Sequence, residues 1–363
     1  MVAGAVPPVI AGKKSGAGIL PGERNRLSTE EDYRMTASSP LWITETEVVS
    51  LLNLGDAIAA LERGLTLEAR GEMANMAKTH ATWGSGGTLH ALGATSASAG
   101  VVGTKTWAHT EGGATPLLIL FDSETGALKA VIEAFALGQM RTGGISGVAT
   151  RWLAAADADE LAIVGTGKQA LLQVAAVAAV RPLKRVRVYS PTAAHRTQFA
   201  DRLRAAFPFA VVEAQSVREA VADVPMITLV TRATQPFLTA DLVGKGAHVN
   251  AVGAILPGRV EFGQDIFPRC GRVVVDSLES VQELSREFGD YYGTKTAHWE
   301  EVMPLCALVA ARQTRPAGCD LTLFKAMGMG VSDLAVGIEI YERATRQGLG
   351  RSFAHPQRVT PRL

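Results

Sequence analysis

LAIVGTGKQALLQ, residues 161–173, decides the fold. Four apolar residues make a short buried strand, a Gly-x-Gly turn follows, and an apolar run opens a helix. Gly165, Gly167 and Ala170 spell G-x-G-x-x-A. The first glycine permits the tight turn, the second lets a pyrophosphate approach the backbone, and Ala170 lets helix and strand pack closely. The helix N-terminus offers unpaired N–H groups and a partial positive charge to phosphates. Gly165, Thr166, Gly167, Lys168 and Gln169 are therefore the candidate phosphate contacts of a dinucleotide. A turn that merely packs closely is the competing reading; the strand before it and the helix after it favour the ligand.

Downstream the same grammar continues. RVRVYS (185–190), FAVVEA (209–214), MITLVT (226–231), HVNAVG (248–253) and RVVVDS (272–277) read as strands, separated by helical or short segments such as AAHRTQFADRLRAA (193–206). Strands alternating with crossover helices signal a parallel sheet, and residues 148–320 are read as a Rossmann dinucleotide-binding domain. Where an NAD site places an acidic residue for the ribose 2′-OH, at the end of the second strand, this chain has Ser190, followed by Thr192 and Arg196. A missing carboxylate removes repulsion with a 2′-phosphate, and Arg196 would pair with one, so NADP(H) is favoured over NAD(H). The competing reading makes Arg196 a solvated helix charge.

Upstream, residues 79–135 are short apolar or β-rich runs broken by Gly-containing turns, preceded by a helical pattern capped by Thr46 and running to about residue 71. FALGQMRTGGISGVATRWLAAA (135–156) is a helix rich in small residues that carries Arg141, and VSDLAVGIEIYERATRQG (331–348) is an amphipathic helix that must pack on something. Residues 1–40, rich in Gly, Pro, Ala and Ser, are read as a flexible extension without a core.

Composition bounds the function. With 363 residues, roughly two domains are expected. Lys and Arg number 36 against 35 Asp and Glu, so the chain has no overall electrostatic reason to seek nucleic acid or a membrane surface. The longest apolar run, Val174 to Val180, is far short of a span. Cys270, Cys306 and Cys319 form neither a CxxC nor a zinc spacing, and the histidines form no HExxH, so no metal is expected and a reducing, cytoplasmic setting is. No G-x-S-x-G supports serine hydrolysis.

Four ordered segments carry a family likeness: RTGG at 141–144, GTGKQA at 165–170, AHVNAVGAILPGRVEF at 247–262 and DLTLFKAMGMGVSDLAVGIEIYERA at 320–344. Together they make residues 42–350 resemble the ornithine cyclodeaminase/mu-crystallin family. That resemblance implies a Rossmann domain inside a discontinuous α+β substrate and dimerisation domain, residues 41–147 and 321–363, in a homodimer. It implies NAD(P) and hydride transfer at the carbon next to a carboxylate. By the same resemblance Lys105 matches the active-site lysine, Arg141 an arginine on the substrate and cofactor side, and Thr115 a cofactor-contacting threonine. Thr231, Asn250, Ala251 and Val252 match the walls around the nicotinamide, and Lys78 stands where many members have an arginine for the substrate carboxylate. Cyclodeaminases carry an aspartate where this chain has Ile255, and a glutamate near the site where it has His90.

A hydrocarbon cannot shuttle protons, so Ile255 argues against ring-closing deamination of ornithine or lysine. Reducing an imine asks less: a protonated imine accepts hydride directly, and the protein mainly positions it. Lys105, Arg141 and Lys78 would hold the carboxylate or polarise the acceptor. His90 is either the replacement proton donor or a satisfied strand histidine. The expected function is an NAD(P)H-dependent reductase of a small imine or ketimine, a 2-imino acid, reversible as an amino-acid dehydrogenase. The alternatives are a cyclodeaminase and a nucleotide-bound ligand-binding protein without turnover, for which an apolar Ile255 suits a bulky hydrophobic ligand.

Overall fold

Two capping boxes start the chain's first helices. Thr44 and Glu47 exchange side chain-to-backbone hydrogen bonds, and Asn53 and Asp56 repeat the device. The helix expected from Thr46 onward is therefore two helices, because Asn53 with an acid three residues on is itself a start signal. The computed structural model describes residues 38–84, 86–293, 298–357 and 359–363; the extension expected over 1–40 lies outside them except for its last three residues.

Strand β1 (Leu41–Ile43) leads into α1 (Glu45–Leu51) and α2 (Leu54–Ala69). Short strands follow: β2 (Met73–Asn75), β3 (Thr79–Trp83), β4 (Gly87–Ser96), β5 (Val101–Thr110), β6 (Gly113–Ala114), β7 (Leu117–Asp122) and β8 (Leu128–Glu133), then the long helix α3 (Phe135–Leu153). Alternation then sets in with β9 (Glu160–Val164), α4 (Ala170–Ala178), β10 (Arg185–Tyr189), α5 (Ala193–Ala206), β11 (Ala210–Glu213), α6 (Val217–Val221), β12 (Met226–Leu229) and β13 (His248–Ala251). It continues through β14 (Cys270–Val275), α7 (Leu278–Leu284), α8 (Arg286–Tyr292), β15 (Val302–Pro304), α9 (Leu305–Ala310) and β16 (Leu321–Lys325). Helix α10 (Gly330–Gln347) and β17 (Arg351–Ser352) close the chain.

The strands form two sheets. The first runs β17-β1-β8-β7-β5-β4-β2, with β3 added to β4 and β6 to β5; its pairs are antiparallel except β1 with β8. The second runs β11-β10-β9-β12-β13-β16-β14-β15 with every pair parallel. In it the chain steps from β9 outward to β10 on one side and later to β12 on the other. That reversal opens a crevice at the strands' C-terminal ends, where ligands of such sheets bind. Strand β16 sits between β13 and β14, so a boundary at residue 320 falls one strand early: the chain returns to the parallel sheet once more before α10. LTLFK is buried at all five positions, which suits a strand covered on both faces.

Helix α3 lies against both halves. A Cβ on Gly143 would stand 2.7 Å from the Leu172 carbonyl oxygen in α4, and one on Gly144 would stand 2.7 Å from the Leu61 side chain in α2. The glycine pair after Arg141 is thus what lets α3 approach both helices, and it fixes where Arg141 emerges. Helix α10 packs by Val331, Leu334, Val336 and Ile340 into the core shared with α2, α3 and the antiparallel sheet. Its start is set by Gly330, where a Cβ would lie only 1.8 Å from the Gly93 carbonyl oxygen of β4. Among the described residues no helix is long and apolar enough to cross a membrane.

Candidate functional site

A cleft of about 910 Å³ lies along the C-terminal ends of the parallel strands. Its walls come from the segments after β9, β10, β12, β13, β14 and β16, faced by Lys78 just before β3, by Leu92 and Trp107 of the antiparallel sheet and by Arg141, Thr142 and Ile145 of α3. The glycine turn thus borders one space with two of the cations expected from sequence, Lys78 and Arg141.

At one end Gly165 has φ +110, and a Cβ there would meet the Val230 carbonyl oxygen at 2.5 Å. Only glycine fits that turn. Gly167 has nothing within 4 Å of a Cβ position, so its backbone faces open space, and Ala170 is fully buried where α4 meets the sheet. Thr166, Lys168 and Gln169 line the cleft beside them, as do Ser190 and Thr192 after β10.

Arg196 does not line the cleft. It is 7% exposed, and its guanidinium donates to the Ser190 carbonyl at 2.9 Å and to Gln215 Oε1 at 2.9 Å. It anchors the loop after β10 and is not placed for a 2′-phosphate. One residue of helix phase decides this: His195 is exposed and is on the cleft wall.

Farther along, Thr231 and Val252 border the cleft, whereas Asn250 and Ala251 are buried within β13. Asn250 donates to Thr150 Oγ1 at 3.0 Å and its Oδ1 lies 3.1 Å from His248 Nε2, so it ties β13 to α3. A residue the sequence reading passed over organises this wall. Glu261 is fully buried, and its carboxylate accepts from the Thr231 N–H and hydroxyl and from the N–H groups of Gly253 and Ala254. Burial pushes its pKa up against these bonds and the nearby Lys325. It joins the loops after β12 and β13. Glu261 stands in the RVEF end of the motif at 247–262, where nothing in the local pattern marks it as buried.

The opposite side carries the cations. Lys78 and Arg141 line the cleft, with Ile255 at the wall and 38% exposed. Lys105 is only 4% exposed and lies behind that surface. Its Nζ donates to Asp333 Oδ1 at 2.5 Å and sits 5.1 Å from the ring centre of Trp107, which does face the cleft. Arg141 Nε donates to the same Asp333 oxygen at 3.1 Å. Burial, and then Arg141, pull the Lys105 pKa down to about 8, against the opposing pull of Asp333. Burial and Arg141 likewise lower that of Lys78. Asp276 is a second acid that sequence reading did not single out; it lines the cleft, and its carboxylate accepts the N–H groups of Ser277, Met327 and Gly328. Burial nonetheless raises its pKa.

His90 and Thr115 are off the cleft wall. The His90 ring stacks on Trp107 at 4.7 Å and on His80 at 5.8 Å, and its Nε2 lies 2.8 Å from Thr88 Oγ1. Burial, then Lys78, lower its pKa, which keeps it neutral at pH 7. Thr115 lies between β6 and β7.

The ornithine cyclodeaminase/mu-crystallin family model matches residues 39–348. A Δ1-pyrroline-2-carboxylate reductase of Bacillus cereus is 32% identical over 245 residues, 65% of this chain and 73% of its own length. The ketimine reductase mu-crystallin of Mus musculus is 31% identical over 226 residues, 62% of this chain and 68% of its own. Among solved structures, an archaeal alanine dehydrogenase dimer with bound NAD superposes with a TM-score of 0.79 at 25% identity, covering 87% of this chain and 99% of that one.

Proposed function

The chain belongs to the ornithine cyclodeaminase/mu-crystallin family, and from that premise we propose that it is an NAD(P)H-dependent reductase of a small imine or ketimine with a carboxylate next to the C=N carbon. The observation that carries this reading is one cleft bordered by the glycine turn and by Lys78 and Arg141.

The residues present fit a dinucleotide: Gly165 in the tight turn, an open face at Gly167, and a helix N-terminus beyond. Gly165 to Gln169 would hold its phosphates, and Thr231 and Val252 would flank its nicotinamide, which when bound supplies hydride. Arg141, with Nε engaged by Asp333, keeps its terminal nitrogens for a substrate carboxylate, a bidentate partner. Lys78 adds a looser second charge. Lys105, protonated at neutral pH with its pKa about 8, is the proton donor to the imine nitrogen in this reading, since its ammonium shares Asp333 Oδ1 with Arg141 of the cleft wall, whereas burial and Lys78 lower the His90 pKa. Ile255 gives the wall an apolar surface that carries no proton, which disfavours cyclodeamination.

NADP(H) is preferred because Ser190 offers no carboxylate to repel a 2′-phosphate, while Lys168 and His195 stand on the adjacent wall. The antiparallel sheet with α10 forms a discontinuous substrate domain around the nucleotide domain, and two copies pair, as in the related alanine dehydrogenase dimer. The reaction runs in the cytoplasm and is reversible as an amino-acid dehydrogenase.

The test follows NADPH and NADH oxidation over a panel of cyclic and acyclic 2-imino acids. Turnover with at least one, faster with NADPH, is expected. Tight NADPH binding with no turnover on any of them overturns the reductase and leaves a ligand-binding protein.

A further inference from the structure

Behind the cleft two cations from different parts of the chain share one carboxylate oxygen. Lys105 comes from β5 and Arg141 from α3, and both donate to Oδ1 of Asp333 in the first turn of α10. Asp333 is 1% exposed, and its second oxygen, Oδ2, is buried without a hydrogen-bond partner. An ordinary buried counterion would spread its two oxygens over its two partners, because an unpaired buried acceptor costs about 1–3 kcal/mol. Sharing Oδ1 instead keeps Nζ and Nε no farther apart than two hydrogen bonds reach.

The acid cannot swing away. The α-carbon of Gly330 rests on Gly93 of β4, and the Val331 N–H donates to Asn75 Oδ1 at 2.9 Å. Both contacts fix the first turn of α10 against the antiparallel sheet. Without the carboxylate, Lys105 and Arg141 would face each other as like charges in a water-poor place, which is unfavourable for both.

Resting on the reductase reading above, we infer that Asp333 is the positioning residue of this site: it aims Lys105 and Arg141 together and keeps Lys105 loaded with its proton. Few other groups act on Lys105. Asp333 faces it from α10, Arg141 from α3 and Lys78 from the segment before β3. The residues opposite it on β4 and β7 are Leu92 and Leu118, and along its own strand the Trp107 ring lies beneath it. Asp276 acts on Arg141 and Lys78. Among the described residues Asp333 is thus the one negative charge in contact with Lys105.

The sign follows. Lys105 donates only while protonated, so activity is lost as pH rises through its midpoint. The negative charge of Asp333 holds that midpoint up; removing it moves the alkaline limb to lower pH, by about one to three pH units for a contact this close. The experiment measures kcat and KM for the imine against pH for the wild type, Asp333→Asn and Asp333→Glu, with NADPH binding followed by fluorescence as a check on folding. Asp333→Asn is expected to bind NADPH normally, to show its alkaline limb displaced downward, and to lose kcat at pH 7 by about twofold for a shift of one unit and about ninetyfold for a shift of three. Asp333→Glu restores the charge from a longer stem, so its limb should stay near the wild-type position while kcat falls. A limb that does not move in Asp333→Asn overturns the inference, because a purely structural role lowers activity without changing a midpoint. Should Asp333→Asn fail to bind NADPH, full kcat in Asp333→Glu overturns it instead. A wild type inactive on every imine refutes the reductase reading itself and takes the inference with it; an active wild type with an unmoved limb refutes the inference alone.

Discussion

Replacing Gly167 by alanine separates what the turn does for the fold from what it does for a ligand. A Cβ at 167 meets no atom within 4 Å, and its φ lies outside the left-handed region. The substitution should therefore leave the fold intact or stabilise it by about 0.4–1 kcal/mol, by restricting the unfolded chain. The same methyl would stand where a pyrophosphate must approach the loop backbone. Losing one charge-assisted hydrogen bond there is worth about 1.5–3 kcal/mol, which is roughly a 10- to 150-fold weaker dissociation constant. Fluorescence titration with NADPH and a thermal melt of the same sample read the two effects. A variant that melts at or above the wild type and binds NADPH at least tenfold more weakly supports the reasoning. Affinity within twofold of wild type refutes it, since the open space at 167 would then not be where the phosphates lie. Gly165→Ala is the contrast: with φ +110 and the Val230 carbonyl at 2.5 Å, it should lose stability and binding together.

Four further substitutions have expected outcomes. Arg141→Lys should raise KM for the imine acid about tenfold or more while changing NADPH affinity little, because an ammonium cannot replace the fork; steady-state kinetics read this. His195→Ala should lower the NADPH-over-NADH preference about two- to fivefold, whereas Arg196→Ala should destabilise the loop after β10 and weaken both nucleotides alike. Glu68→Gln should stabilise the protein by about 1–2 kcal/mol near pH 8 and little near pH 5, measured by urea unfolding. Burial raises the Glu68 pKa from 4.5 to about 7, so the folded state holds its proton longer, and stability is lost as pH rises through that interval. Glutamine keeps the acceptor for Asn75 and removes the buried charge.

What the sequence made legible was local. The strand, the G-x-G turn and the helix of 161–173 are written in consecutive residues, and so is the alternation that builds the parallel sheet. RTGG was readable as a motif, but the reason for its glycines, the approach of α3 to Leu61 and Leu172, was not. Contacts across the chain left no local trace. Lys105 and Asp333 are 228 positions apart, and no local pattern links a strand lysine to an acid in the first turn of the last helix. Arg196 and His195 show the limit of reading a helix without its phase: adjacent residues, one turned inward to Gln215 and one facing the cleft. Glu261 was invisible for another reason. Nothing in the pattern of a strand end tells a solvated acid from one that gathers four backbone and hydroxyl donors.

Deuterium transfer from the nicotinamide follows the hydride itself. The protein is given NADPH deuterated at the nicotinamide C4, on each face in turn, together with a cyclic 2-imino acid, and the product is analysed by mass spectrometry alongside the NADPH consumed. The account expects one deuterium at the product's α-carbon, from one face only, and one nucleotide oxidised per amine formed. Product formed without deuterium or without net oxidation of nucleotide would contradict it.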